Sequence, residues 1–353
     1  MEGSIKKAFN PSGVGVKGSL FGLPFTPETS KVVVIPVPWD VTVSYRAGTA
    51  QAPLAILEAS SQIDFYHEWY PDIWKEGFAI DDFPEDWASK SRTLRKKVEP
   101  YIEHLESGGD VAHADWQRLV NEINGESAQL NRWVEARSGN WQDRQKIVGT
   151  LGGDHSTPLG NINAIAARYK SFGILQIDAH ADLRKSYEGF QFSHASIMYN
   201  ALQLPEVHKI VTVGLRDYCQ EEVDLAKDEK ERIVFFTNTN WKQKQFNGTT
   251  WSQYCREIIN TLPESVYISF DIDGLSPDHC PNTGTPVPGG LNFDQAAYLI
   301  HQLVISGRKI IGFDLNEVGI SENEWDENVG FRMLYHLCAC SAYSAKLQSF
   351  QEN

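Results

Sequence analysis

Two segments of this chain stop an apolar run at alternating acidic and imidazole side chains, and they constrain everything else. They are Gly173-Ile-Leu-Gln-Ile-Asp178-Ala-His180-Ala-Asp182 and Val266-Tyr-Ile-Ser-Phe-Asp271-Ile-Asp273. On a strand, residues i and i+2 share a face about 7 Å apart. Asp178, His180 and Asp182 therefore converge at one strand end, and Asp271 and Asp273 at another. Four carboxylates held so close repel one another unless cations sit between them. The pattern asks for a paired divalent-metal site at the ends of buried strands.

Further apolar runs place those two in a larger order. Strand candidates are Lys31–Val37, Gly77–Ile80, Lys146–Leu151, Phe172–Ile177, Lys209–Gly214, Arg232–Phe236, Val266–Phe270 and Lys309–Phe313. Most are continuous Val/Ile-rich runs, the mark of strands buried on both faces. Helical periodicity separates many of them, at Pro53–Ile63, Pro158–Tyr169, Trp251–Leu262, Phe293–Ile305 and Glu327–Leu347. Alternating strands and helices predict an α/β fold with a mostly parallel sheet of about eight strands between helical layers. Ligand sites in such sheets lie beyond the C-terminal strand ends, where the Asp and His clusters begin. The chain is expected to form a single domain over residues 1–353. Within it, the polar stretch 84–145 reads as helices flanking the sheet, an insertion suited to a surface layer, an oligomer contact or a lid.

Composition narrows the function classes. A net charge of −14 over 353 residues argues against nucleic-acid and anionic-membrane partners. No apolar run approaches the roughly 20 residues of a membrane span, and the start, Met1 to Asn10, has no signal-like apolar segment. A cytoplasmic location is expected. The five cysteines, at 219, 255, 280, 338 and 340, match no zinc spacing and are expected to stay reduced.

A third segment, Gly152-Gly-Asp-His155-Ser, follows the strand run Lys146–Leu151 and sets His155 at another strand end. Together the three segments resemble the ureohydrolase (arginase/agmatinase) family. Its signatures are matched by Gly-Gly-Asp-His155-Ser, Asp178-Ala-His180-Ala-Asp182 and Ser-Phe-Asp271-Ile-Asp273-Gly-Leu. The resemblance implies an arginase-like three-layer α/β/α fold and two Mn²⁺ per subunit. One ion would take His155, Asp178, Asp182 and Asp271; the other would take Asp178, His180, Asp271 and Asp273. Hard carboxylates with two imidazoles suit Mn²⁺. It also implies that a metal-bridging hydroxide attacks a guanidinium carbon, releasing urea and an amine. By the same resemblance Glu317 binds the guanidinium, His194 shuttles protons, and Asp182 passes a proton to the leaving amine. Homo-oligomers, trimers or hexamers, are a further implication.

The loop Asp182-Leu-Arg184-Lys-Ser-Tyr187-Glu188-Gly189-Phe-Gln-Phe-Ser193-His194 looks most like that of microbial agmatinases. A small cationic guanidino substrate, agmatine, is therefore expected, with putrescine as the amine product. Arg184 and Asp217 are further substrate-binding candidates. Arg184 would offer a cation to a guanidino acid unless Glu188 pairs with it. Asp217, in Gly214-Leu-Arg-Asp217, resembles an arginase residue that meets the substrate α-amine. Arginase or guanidino-acid/formiminoglutamate hydrolase activity, a metal-dependent amine deacetylase and a non-catalytic guanidino-binding protein are the alternatives.

Overall fold

The computed structural model describes residues 9–351; most of the stretch Met1 to Asn10 considered above lies outside them. The sheet has eight strands: β1 Val32–Val37, β2 Phe78–Ile80, β3 Ile147–Gly152, β4 Phe172–Ile177, β5 Val207–Val213, β6 Ile233–Phe236, β7 Ser265–Asp271 and β8 Lys309–Asn316. They run parallel in the order β2-β1-β3-β8-β7-β4-β5-β6. Each strand feeds opposite faces in alternation. Val32 and Val34 join one core cluster while Val33, Ile35 and Val37 join another. That burial on both sides is why the runs read as continuously apolar.

Helices cover both faces: α1 Ala52–Ala59, α2 Glu85–Glu106, α3 Ala114–Asp143, α4 Leu159–Ala166, α5 Ile197–Leu202, α6 Gln220–Asp228, α7 Asn238–Phe246, α8 Trp251–Asn260, α9 Phe293–Ile305 and α10 Trp325–Gln351. α8 and α9 start at Thr250 and Asn292, whose side chains accept the amide three residues on while Gln253 and Gln295 reach back. The polar stretch 84–145 is helical, as expected. It is more than a surface layer, because α3 turns Val120, Ile123, Leu130, Val134 and Trp141 inward at helical spacing. Trp141 and Arg137 both bond Asp81, just past β2, at 2.9 and 2.7 Å. The short helices α5, α6 and α7 were not expected from periodicity. α6 and α7 carry few buried side chains.

Among the described residues no helix is long and apolar enough to cross a membrane. All five cysteines are free, and all but Cys219 are buried. Three histidines outside any motif gather on the α9–α10 face. His67 meets His336 at 3.1 Å, and Tyr70 meets His301 at 2.7 Å.

The sheet order sets the site. β3 and β4 are successive strands, yet β7 and β8 lie between them, so the direction of winding reverses at the centre. Register keeps the four central ends level: Leu151 pairs with Leu315, Phe270 with Leu315 and Ile177 with Phe270. β8 runs to Asn316 rather than Phe313, because Asp314 and Asn316 are buried in a polar network instead of facing water.

α3 crosses α4 at Gly160, where a Cβ would lie 2.3 Å from the Asn131 carbonyl oxygen and 2.7 Å from Val134 Cβ. Replacing Gly160 with Ala should overpack this crossing by about 1–3 kcal/mol. The expected result is an apparent Tm several degrees lower by calorimetry, with β-sheet circular dichroism retained.

Candidate metal and substrate site

The four central strand ends deliver the predicted residues to one cleft of about 170 Å³, walled by His155, His180, Asp182, His194, Asp271 and Glu317 among others. His155 arrives through backbone that only glycine allows. A Cβ on Gly153 would sit 2.1 Å from the Trp39 carbonyl oxygen, and the Gly153 and Asp154 amides bond Val37 and Trp39 of the neighbouring loop. Asp178 follows β4, Asp271 ends β7, and Glu317 follows β8.

His155 Nδ1 lies 3.1 Å from Asp178, 3.0 Å from Asp182 and 3.3 Å from Asp271. It forms a hydrogen bond with none of them. The ring's other nitrogen is held by Ser269 at 2.8 Å, and the Ser269 hydroxyl donates to Asp314 at 3.1 Å. Such an outer partner fixes the ring so that the inner nitrogen faces the ligand position. On the other side, His180 Nδ1 lies 3.0 Å from Asp273 and 3.6 Å from Asp178. Two sets of ligand atoms result, each within 4.8 Å: His155 with Asp178 and Asp271, and Asp178 with His180 and Asp273. Asp178 is common to both. Asp271 belongs to the first set only, its Oδ1 accepting the Asp273 amide at 2.8 Å. Asp182 borders the first set through His155.

The electrostatics ask for positive charge at these two points. Burial, then repulsion from Asp178, pushes Asp182 up to about 7. Burial with Asp273 and Asp178 lifts Asp271 well above the carboxylate range. Burial works against a charged His155, yet the close carboxylates of Asp178, Asp182 and Asp271 outweigh it and raise that pKa strongly. Oxygen-rich ligand atoms around two buried foci fit divalent cations.

Glu317 has its Oε1 on the His155 amide at 3.0 Å, while its buried Oε2 has no partner. Its backbone is left-handed, φ 60°, as is that of Asp182, φ 54°. Non-glycine residues persist there only when surroundings over-determine them. For Glu317 the surroundings are its amide on Gly153 and its carbonyl accepting Thr283. His194 is half-buried on the cleft wall, its Nδ1 3.3 Å from Ser193 Oγ. Burial brings it down to about 3, so the imidazole is neutral.

Arg184 and Asp217 both reach the cleft. Arg184 does not pair with Glu188. Its guanidinium lies 4.9 Å over the Tyr187 ring, and Glu188 Oε2 is buried without a partner. Asp217 is mostly exposed, 3.8 Å from His180 Nε2. His279 and Cys280, near the motif, serve loop packing: His279 Nε2 accepts the Phe293 amide at 3.2 Å, and Cys280 is buried. Sequence reading missed several contributors. Gln176 donates to Asp178 at 2.8 Å, and Ser269 orients His155. Both were visible as lone polar residues inside apolar runs. Glu222, whose carboxylate takes the Leu183 and Cys219 amides, gave no such signal.

A sequence profile of the arginase family matches residues 30–324. The chain belongs to the arginase family. Among its relatives, an N(1)-aminopropylagmatine ureohydrolase of Thermus thermophilus is 29% identical over 318 residues, spanning 90% of this chain and 92% of that protein. An agmatinase of Bacillus cereus is 27% identical over 294 residues, 82% of this chain and 84% of that one. The solved agmatine ureohydrolase of Thermoplasma volcanium shares the fold, with TM-score 0.69 at 24% identity over 98% of this chain and 99% of that one.

Divalent cations should favour the native state of this arginase-family chain, since they bind the folded cluster and not the open chain. Chelator-treated protein should therefore gain several degrees in apparent Tm on titration with a divalent cation. Asp178→Ala, which removes the ligand common to both sets, should abolish most of that gain.

Proposed function

We propose that this arginase-family hydrolase is a binuclear manganese amidinohydrolase that converts agmatine and water to urea and putrescine. One observation carries the reading: the buried Glu317 Oε2, without a partner, shares a cleft with His155 and Asp271 of one ligand set and His180 of the other. A carboxylate so placed gains most from a planar guanidinium, which offers it paired N–H donors. Relatives whose names specify agmatine or its aminopropyl derivative support the same substrate class. Carboxylate-rich donors with two imidazoles favour Mn²⁺ over thiolate-seeking metals.

Two bound divalent ions supply Lewis acidity and a water of lowered pKa. The rest is done by the chain. Glu317 accepts guanidinium N–H groups and sets the central carbon over the ligand cluster. A C–O bond forms from water, and the bond from the guanidino carbon to the substituted nitrogen breaks. Asp182, beside His155 on the cleft wall, carries a water proton to the departing amine. His194, a neutral imidazole nearer the loops, exchanges protons with solvent. Exposed Asp217 gives the mouth a negative charge for a cationic tail. The enzyme would act as one catalytic unit in the cytoplasm, in homo-oligomers.

A second reading has its own observation. Arg184 stands over Tyr187 at the cleft wall, and among the described residues it has no carboxylate partner, so a guanidino acid could use it. Urea release by Mn-loaded protein across agmatine, N1-aminopropylagmatine, arginine, guanidinobutyrate and formiminoglutamate decides between them. Agmatine or its aminopropyl derivative should turn over fastest, and Arg184→Ala should leave them nearly unaffected. Fast turnover of guanidinobutyrate, lost in Arg184→Ala, would replace the first reading with the second. His194→Asn should retain two Mn per chain by elemental analysis and slow turnover by about a hundredfold.

A further inference from the structure

The helical hairpin α2–α3 touches both loops that flank His194. Fully buried Tyr101 of α2 donates its hydroxyl to the Glu188 carbonyl at 2.8 Å and meets Phe190 edge-on, centroids 5.7 Å apart. Asn124 of α3 uses both ends of its amide. Nδ2 donates to the Gly189 carbonyl at 3.2 Å, and Oδ1 accepts the Gln191 amide at 2.8 Å. The turn so gripped is tight: Tyr187 and Phe190 exchange backbone bonds of 3.1 and 2.9 Å, and Glu188 is left-handed at φ 54°. Tyr187, at its head, lines the cleft with its ring 5.9 Å from that of His194, nearly perpendicular. On the other flank, Arg95 of α2 donates Nη1 to the Val41 carbonyl at 3.4 Å and to the Val43 carbonyl. The Thr42 backbone between them is close enough to influence His194, and Ser44 beyond lines the cleft.

We propose that this hairpin is part of the active-site frame, in which Tyr101, Asn124 and Arg95 are positioning residues that hold Tyr187 and His194 at the cleft wall. The inference rests on the amidinohydrolase reading for what the cleft does. The physical reason is local. A left-handed glutamate is a strained conformation kept only by its neighbours, and four of the contacts that keep it come from the hairpin. All of them fall on backbone or on Phe190, so they fix the path of the loop whatever its surface residues are. Transfer of a proton at the wall depends on placement within a fraction of an ångström to an ångström.

The test uses full-length Mn-loaded protein, Asn124→Ala and Tyr101→Phe, with Lys97→Ala as control. Lys97 lies on α2 in an exposed pair with Glu122, with no hydrogen bond to either loop. For agmatine, Asn124→Ala should lower kcat about tenfold with KM changed less than threefold and both Mn retained. Tyr101→Phe, which deletes one hydroxyl and keeps the ring, should act in the same direction. Amide exchange by mass spectrometry should speed up over residues 187–191 in both variants and not in Lys97→Ala. Unchanged exchange there, or kcat within twofold of the parent in both variants, overturns the proposal. If the parent releases no urea from any guanidino compound, the amidinohydrolase reading fails by itself. The exchange measurement still decides the positioning claim, faster exchange supporting it and unchanged exchange overturning it.

Discussion

Burying Asp178, Asp182, Asp271 and Asp273 around two points is the constraint on which this structure turns. Each is nearly or wholly out of water, and ionised carboxylates in such surroundings are costly unless donors and cations meet them. The fold supplies the donors first. The His180 amide bonds Asp178 at 2.6 Å, and the Ala179 amide bonds Asp273 at 3.0 Å. These are backbone groups of residues just past β4, so the strand end that presents an acid also helps to solvate one. A parallel sheet with level central register brings such ends together without any loop having to reach.

Behind the ligands lies a second ring of buried polar groups. Thr212 donates to Gln176, which donates to Asp178. Ser269 ties His155 to Asp314, and Asn316 donates to the same Asp314 oxygen. These residues stand inside β4, β5, β7 and β8, where an apolar side chain would pack as well. Their cost is offset only because each is bonded in turn, and their return is orientation of the atoms that face the cleft. Asp314 is raised by burial even so, which marks the cost of placing a carboxylate behind the ligands.

This division explains what could be read from sequence. Strands buried on both faces leave continuous apolar runs, and their C-terminal punctuation by Asp and His is local, so the sheet and its ligands were legible. β5 begins at Val207 rather than Lys209, because the polar His208 separates Val207 from the apolar run that follows. β8 was ended too early because Asp314 and Asn316 resemble a boundary until their burial is known. The short helices α6 and α7 stand against the sheet on few apolar residues, so periodicity had little to report. Arg184 shows the limit for charge. Glu188 was a plausible neighbour in the chain, but the tight turn sends its carboxylate inward and leaves the arginine over Tyr187. The hairpin's grip on the site loops was invisible because it acts on carbonyls and amides, which every sequence has.

The same division separates the two tasks of the site. The ligand sets hang from strand ends locked by ladder bonds on both sides, so they are rigid without further help. The other residues lining the cleft, among them Ser44, Arg184, Tyr187, His194 and Asp217, lie outside the strands, where they gain rigidity only from what packs behind them. On one flank that backing is α2–α3; on the other it is Arg216, whose guanidinium binds the carbonyls of Asp273, Leu275 and Val287 at 2.7–3.0 Å. A cluster suited to cations can therefore stay fixed while the loops that line the rest of the cleft change by substitution of a few exposed side chains. Changes to the backing residues would reach both tasks at once, since Arg216 ties the loop after Asp273 as tightly as it ties the mouth.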